Sequence, residues 1–161
     1  MTFSRRDFLT STIAGATTAG LAGRLTPLHA AENKRRLKIA AITTIYFKYS
    51  HAQHIVDRFL EGYSWEGRHH RPDMDVASLY VEQVGENDLS RERLKRFPGM
   101  KHAETIEQAL TLGTGSLAVD GVLLIGEHGN FPVNEKGQTL YPRYEYFKQI
   151  VDVYRKSGRT A

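Results

Sequence analysis

Cysteine is absent from all 161 residues. That absence excludes a disulfide framework, a thiolate nucleophile and any Cys-ligated zinc or iron–sulfur centre, so a metal here would need histidine and carboxylate ligands. Glycine, with 14 residues, and proline, with 5, are too scarce for a collagen-like or low-complexity chain. No run supplies the ~20 strongly apolar residues that a membrane span needs. Basic charge is also in short supply once its location is considered. The formal balance is +4, but residues 1–30 hold Arg5, Arg6 and Arg24 against Asp7, so half of that excess lies in the first thirty positions. The remainder, at +2, lacks the basic surplus that tracking a nucleic-acid backbone requires.

What is present begins with Ser4-Arg5-Arg6-Asp7-Phe8-Leu9, then a mild apolar run from Ser11 to Gly23, then small residues up to Ala30-Ala31. Adjacent arginines, a short apolar region and small residues near a cleavage point resemble a twin-arginine export signal. The resemblance implies a signal peptide over residues 1–31, an export translocase as partner, and the periplasm or cell envelope as destination. It leaves a domain over residues 32–161, about 130 residues, enough for one core.

That domain alternates strand and helix. Leu37-Lys38-Ile39-Ala40-Ala41-Ile42-Thr43-Thr44-Ile45 is a continuous apolar, partly β-branched run, the pattern of a strand buried on both faces. Ser50 is placed to cap a helix in which Ala52, Ile55, Val56, Phe59 and Leu60 recur at helical spacing. Residues 63–72, rich in aromatics, charge and breakers, read as a loop. Met74 to Val81 is a second strand, Leu89 to Arg96 a short helix with Ser90 as cap, and Thr105 to Leu110 another helix. Asp120 to Gly126 is a third strand, and Tyr144 to Lys156 a last helix with Phe147, Ile150, Val151 and Tyr154 on one face. Such an order predicts a three-layer α/β fold of the Rossmann type, with a mostly parallel sheet and right-handed crossovers. The last helix ends at Gly158 with no strand after it. The expectation is a sheet incomplete at its C-terminal side, completed in a longer protein or in a homo-oligomer.

The order of elements, Lys38-Ile39-Ala40-Ala41-Ile42 at the start, and Thr105-Ile106-Glu107-Gln108-Ala109-Leu110 leading to Val119-Asp120-Gly121-Val122-Leu123-Leu124-Ile125 resemble the nucleotide-binding half of the Gfo/Idh/MocA oxidoreductase family over residues 37–130. That resemblance implies a nicotinamide cofactor, NAD(P), hydride exchange with a sugar or polyol in a full-length protein, and no turnover by this stretch alone. Three features depart from the family pattern. The first turn, Thr43 to Ser50, contains no glycine to let backbone approach a pyrophosphate. The family's Glu-Lys-Pro motif does not occur. An insertion carrying Trp65, His69 and His70 moves the acid after the second strand, Glu82, beyond the ~20-residue spacing of a ribose-binding acid. Gly113-Thr114-Gly115-Ser116-Leu117-Ala118 matches a dinucleotide fingerprint literally, but it follows a helix and precedes a strand, so it reads as a loop.

In parallel sheets the carboxyl ends of the strands form the ligand crevice. This assigns Thr43, Thr44, Ser50, His51, Gly126, Glu127 and His128 to a small-molecule or cofactor site. A second assignment uses the same place differently. His51 and His54 are three apart on one helix, and together with Glu127 and His128 they are candidate ligands of a divalent metal that activates water for hydrolysis.

Overall fold

Where the sequence alternates apolar residues between two helical layers, the chain builds a sheet that uses both faces. The computed structural model describes residues 35–161, so the export signal assigned to residues 1–31 lies outside the described residues. Ten elements follow in order: β1 (Leu37–Thr43), α1 (His51–Leu60), β2 (Tyr63–Trp65), β3 (Arg68–His70), β4 (Met74–Val81), α2 (Ser90–Arg96), β5 (Lys101–Ala103), α3 (Ile106–Thr111), β6 (Gly121–Ile125) and α4 (Arg143–Ser157). Four strands form a parallel sheet in the order β5-β4-β1-β6. The fold is therefore α/β with a Rossmann-like parallel sheet, as the pattern of the sequence predicts.

The continuous apolar run of β1 has a simple cause. Ile39 and Ala41 pack with Ala52, Val56 and Leu60 of α1, while Ala40 and Ile42 pack with Ala109 and Leu110 of α3 and Ile150 and Val153 of α4. Each fully buried Val, Leu or Ile of these layers contributes about 1.5–3 kcal/mol. β4 serves both layers through an irregularity. Its register against β1 jumps between Ile39↔Val76 and Ala40↔Ser78, leaving Ala77 as an extra residue. This bulge lets Val76, Leu79 and Val81 all join the α1 layer, while the Ser78 hydroxyl donates to the Ala109 carbonyl at 2.7 Å on the other side.

The helices begin and end where their caps dictate. Ser50 Oγ accepts from the Gln53 amide at 3.1 Å and Thr105 Oγ1 from the Gln108 amide at 3.0 Å. At the start of α2 the cap differs from the expectation: Ser90 is the first helical residue, and the Asp88 carboxylate accepts from its amide at 2.8 Å. On α4 the buried face is Tyr146, Ile150 and Val153, whereas Phe147 is 56% exposed. The helical stripe expected from the sequence is thus rotated by about one position.

Three strands, β2, β3 and β5, were not expected. Residues 63–70 form a small antiparallel hairpin, Tyr63↔His70 to Trp65↔Arg68, closed by Glu66 and Gly67, both at positive φ (49° and 72°). Positive φ at both central residues is the turn that fits hairpin twist. β5 pairs only three residues with β4, and of these only Ala103 is buried. The stretch 113–118 is a loop, with Gly113 and Gly115 at positive φ, as its context predicted. Among the described residues no helix is long and apolar enough to cross a membrane.

Candidate functional site

The sheet order reverses direction between β1 and β6: the chain runs outward from β1 through β4 to β5, then returns to place β6 on the other side of β1. Crevices open at the carboxyl ends of strands at such a reversal. Three loops meet there, β1–α1, β4–α2 and β6–α4.

The β1–α1 turn is held from below. Tyr46 is 1% exposed and its hydroxyl donates to Asp57 of α1. Arg93 of α2 closes on the same carboxylate with two bonds, Nε to Oδ1 at 2.9 Å and Nη2 to Oδ2 at 2.7 Å. Burial and the adjoining carboxylate push the Tyr46 phenol well above its ordinary range. Burial opposes ionisation of Asp57, but hydrogen bonds from Arg93 and Tyr46 outweigh it and hold the carboxyl below its usual value.

Thr43, Thr44 and Ser50 are each engaged within the fold. Thr43 Oγ1 donates to the Tyr80 carbonyl at 3.1 Å, Thr44 Oγ1 to the Glu127 carbonyl at 2.6 Å, and Ser50 caps α1. All three are buried, so they shape the site from beneath and do not offer free hydroxyls to it. The turn from Thr43 to Ser50 contains no glycine, and bulky Tyr46 and Phe47 occupy its middle. It therefore lacks the backbone approach by which a dinucleotide pyrophosphate is usually cradled.

Above this floor the β6–α4 loop brings its polar residues to α1. Glu127 Oε2 lies 2.8 Å from His51 Nδ1, and Arg143 Nη2 donates to Glu127 Oε1 at 3.1 Å. Arg143 Nε also donates to the Gly126 carbonyl at 3.0 Å. Gly126 permits this approach, since a Cβ there would stand 3.0 Å from Arg143 Cγ. His128 stacks on His51 with ring centroids 4.7 Å apart and planes inclined by 25°. It does so with φ at 65°, a left-handed conformation that costs a non-glycine residue about 1–2 kcal/mol. Next to it, Gly129 at φ 106° is required: a Cβ would meet Phe131 at 2.8 Å. Gln83, at the end of β4, clamps this loop by accepting from the Asn130 amide at 2.8 Å and donating to its carbonyl at 3.1 Å.

The residues assigned from sequence thus separate. His51, Gly126, Glu127 and His128 come together. His54 points elsewhere and stacks on Tyr49 at 6.3 Å, and among the described residues no three His, Asp or Glu side chains are grouped to hold a metal ion. His69 and His70 serve the hairpin, His69 Nε2 donating to the Glu61 carbonyl at 2.9 Å and His70 stacking on Tyr63. Glu82 accepts from the Tyr146 hydroxyl on the α4 side of the sheet, where burial first and this carboxylate second raise the phenol's pKa.

Two clefts flank the histidine pair. One, about 460 Å³, is lined by Phe47, Gln83, Asn87, Asp88, His128 and Tyr141; the other, about 410 Å³, by His51, Ile55, Leu124, Glu127 and Arg143. Asp88 was not singled out by the sequence. Its Oδ1 accepts from the Ser90 amide and hydroxyl, whereas Oδ2 is buried without a hydrogen-bond partner among the described residues. Leaving such an acceptor unmatched costs about 1–3 kcal/mol. The Asn-Asp pair before a capped helix was the available signal.

The fold and site define an α/β domain with a strand-end crevice. Comparison of the chain with protein-family models, curated proteins and solved structures finds no match in any of the three.

Proposed function

We propose that this chain is an exported, ligand-binding domain of the kind found in the nucleotide-binding half of Gfo/Idh/MocA oxidoreductases, with its ligand at the carboxyl ends of β1, β4 and β6. The supporting observation is the larger cleft at the sheet reversal, whose lining brings Asp88 and Asn87 together with Phe47 and Tyr141. A carboxylate, an amide and two aromatic rings suit a compact, hydroxyl-rich molecule such as a nucleoside or polyol. The glycine-free turn argues against a dinucleotide stretched across the sheet in the usual way. Residues 1–31 support export by the twin-arginine route to the periplasm or envelope.

The test is calorimetric titration of the folded chain with adenosine monophosphate, NAD, glucose and myo-inositol. Asp88→Asn keeps the oxygen that caps Ser90 and removes the charge of this cleft-lining carboxylate. At least one compact probe is expected to bind at micromolar to millimolar Kd, and Asp88→Asn to weaken it about tenfold or more. Silence toward every probe by a folded protein overturns the reading.

A further inference from the structure

The wall between the two clefts is a histidine whose ring is held at one nitrogen. His51 Nδ1 faces Glu127 Oε2 at 2.8 Å, and the other oxygen of that carboxylate receives Arg143 Nη2 at 3.1 Å. Arg143 is itself tied to the Gly126 carbonyl, and the Glu127 backbone to Thr44, so the carboxylate is braced from two elements. A carboxylate accepts and does not donate, which fixes the neutral imidazole as the Nδ1–H tautomer. Its Nε2 then carries the lone pair, and among the described residues that atom has no hydrogen-bond partner. The ring of His128, kept in a left-handed backbone conformation, covers one face of His51. Backbone strain of this kind collects at functional positions. His128 lines the larger cleft and His51 the smaller, so the pair borders both.

We propose that His51 is the proton-transfer group of this site, oriented by Glu127 as a positioning residue and acting on a hydroxyl of a molecule that extends from the larger cleft past His128 into the smaller one. The inference rests on the ligand reading above. In the step, His51 Nε2 accepts the hydroxyl proton, the O–H bonding pair stays on the oxygen, and the ring becomes an imidazolium whose charge the Glu127 carboxylate opposes. Return of the proton from Nε2 restores the resting pair. Arg143 holds the Glu127 carboxylate in place, and His128 covers one face of the ring.

The experiment uses the whole chain and needs no natural ligand. In ¹⁵N spectra of the imidazole nitrogens, neutral His51 is expected as the Nδ1–H tautomer, with Glu127→Ala shifting it toward Nε2–H. In parallel, p-nitrophenyl acetate reports the free lone pair: Nε2 attacks the carbonyl carbon, the bond to p-nitrophenolate breaks to leave an acetylimidazolium that still carries its Nδ1 proton, and water cleaves this to acetate and two protons, restoring the neutral ring. His51→Ala is expected to lower p-nitrophenolate release at least fivefold and Glu127→Gln about threefold, while His102→Ala, exposed on β5, leaves it unchanged. An Nδ1 found unprotonated, or a His51→Ala rate equal to wild type, overturns the proposal. Failure here leaves the calorimetric result standing, and silence in calorimetry leaves the tautomer and ester results to be read on their own.

Discussion

Two carboxylates in this domain gather basic and aromatic partners, and they do so for different ends. Asp57 is sunk between α1 and α2, where its side chain is 14% and that of Arg93 11% exposed; Glu127 sits at the strand ends, 42% exposed, with His51 and Arg143 at 53% and 55%. Around Asp57 the low dielectric magnifies each bond and penalises any missing partner. Around Glu127 water screens the same kind of pair, so its effect on folding is small. The difference teaches how the domain divides its charges: one set locks the β1–α1 turn in place, and the other stays accessible beside the clefts.

The contrast is broken most severely at the buried set. Asp57→Ala leaves Arg93 uncompensated and the Tyr46 hydroxyl without its acceptor, Arg93→Ala leaves the Asp57 carboxylate uncompensated, and either is expected to destabilise by about 3–5 kcal/mol in denaturant unfolding. Acid probes the same cluster with a smaller effect. The Asp57 carboxyl is held below its usual value in the folded protein, so its stabilisation is fully present above the unfolded value near ~3.9 and is lost as pH falls through the folded one. Unfolding free energy measured downward from neutral pH is expected to decline below about pH 4, and to decline less in Asp57→Asn. The smallest effect belongs to the other carboxylate: Glu127→Ala is expected to change stability by no more than about 1 kcal/mol. A Glu127 variant as damaging as the Asp57 variants would erase the distinction.

Much of the scaffold was legible because its physics is local and repetitive. β1 had to be apolar on both faces since helices cover both, and Ser50 and Thr105 announce their helices by capping them. The elements missed were those whose identity depends on neighbours. β5 has three residues and only one of them buried, so no periodicity exists to be read; it is a strand because β4 pairs with it. The hairpin follows from Glu66-Gly67 adopting positive φ, a turn signal that the charged, aromatic loop composition obscured. The face of α4 was displaced because Tyr146 packs into the layer against Tyr80 and reaches Glu82 with its hydroxyl, which no helical spacing records.

The site divided along the same line. Strand-end logic brought His51, Gly126, Glu127 and His128 to one place, since residues following parallel strands share an edge. It did not single out Asp88, whose significance is a missing partner, or Gln83, whose side chain reaches across to Asn130. Arg143 carries no motif of its own; what brings it to the Gly126 carbonyl is a glycine at 126 that lets it come close. Long-range contacts between loops carry no sequence period.

The measurement that bears most directly on this division of labour is the calorimetric titration with adenosine monophosphate, glucose and myo-inositol, run on the wild-type chain beside Gly85→Phe. Gly85 lines the larger cleft in an ordinary backbone conformation, and a Cβ there meets only Asn87 Oδ1 at 3.5 Å, so a side chain can be added at the cleft without straining the turn, and a phenylalanine is chosen to compete with a ligand for that space. The account predicts heat of binding from the wild type and its loss in Gly85→Phe at unchanged stability; equal binding by both, or by neither, contradicts it.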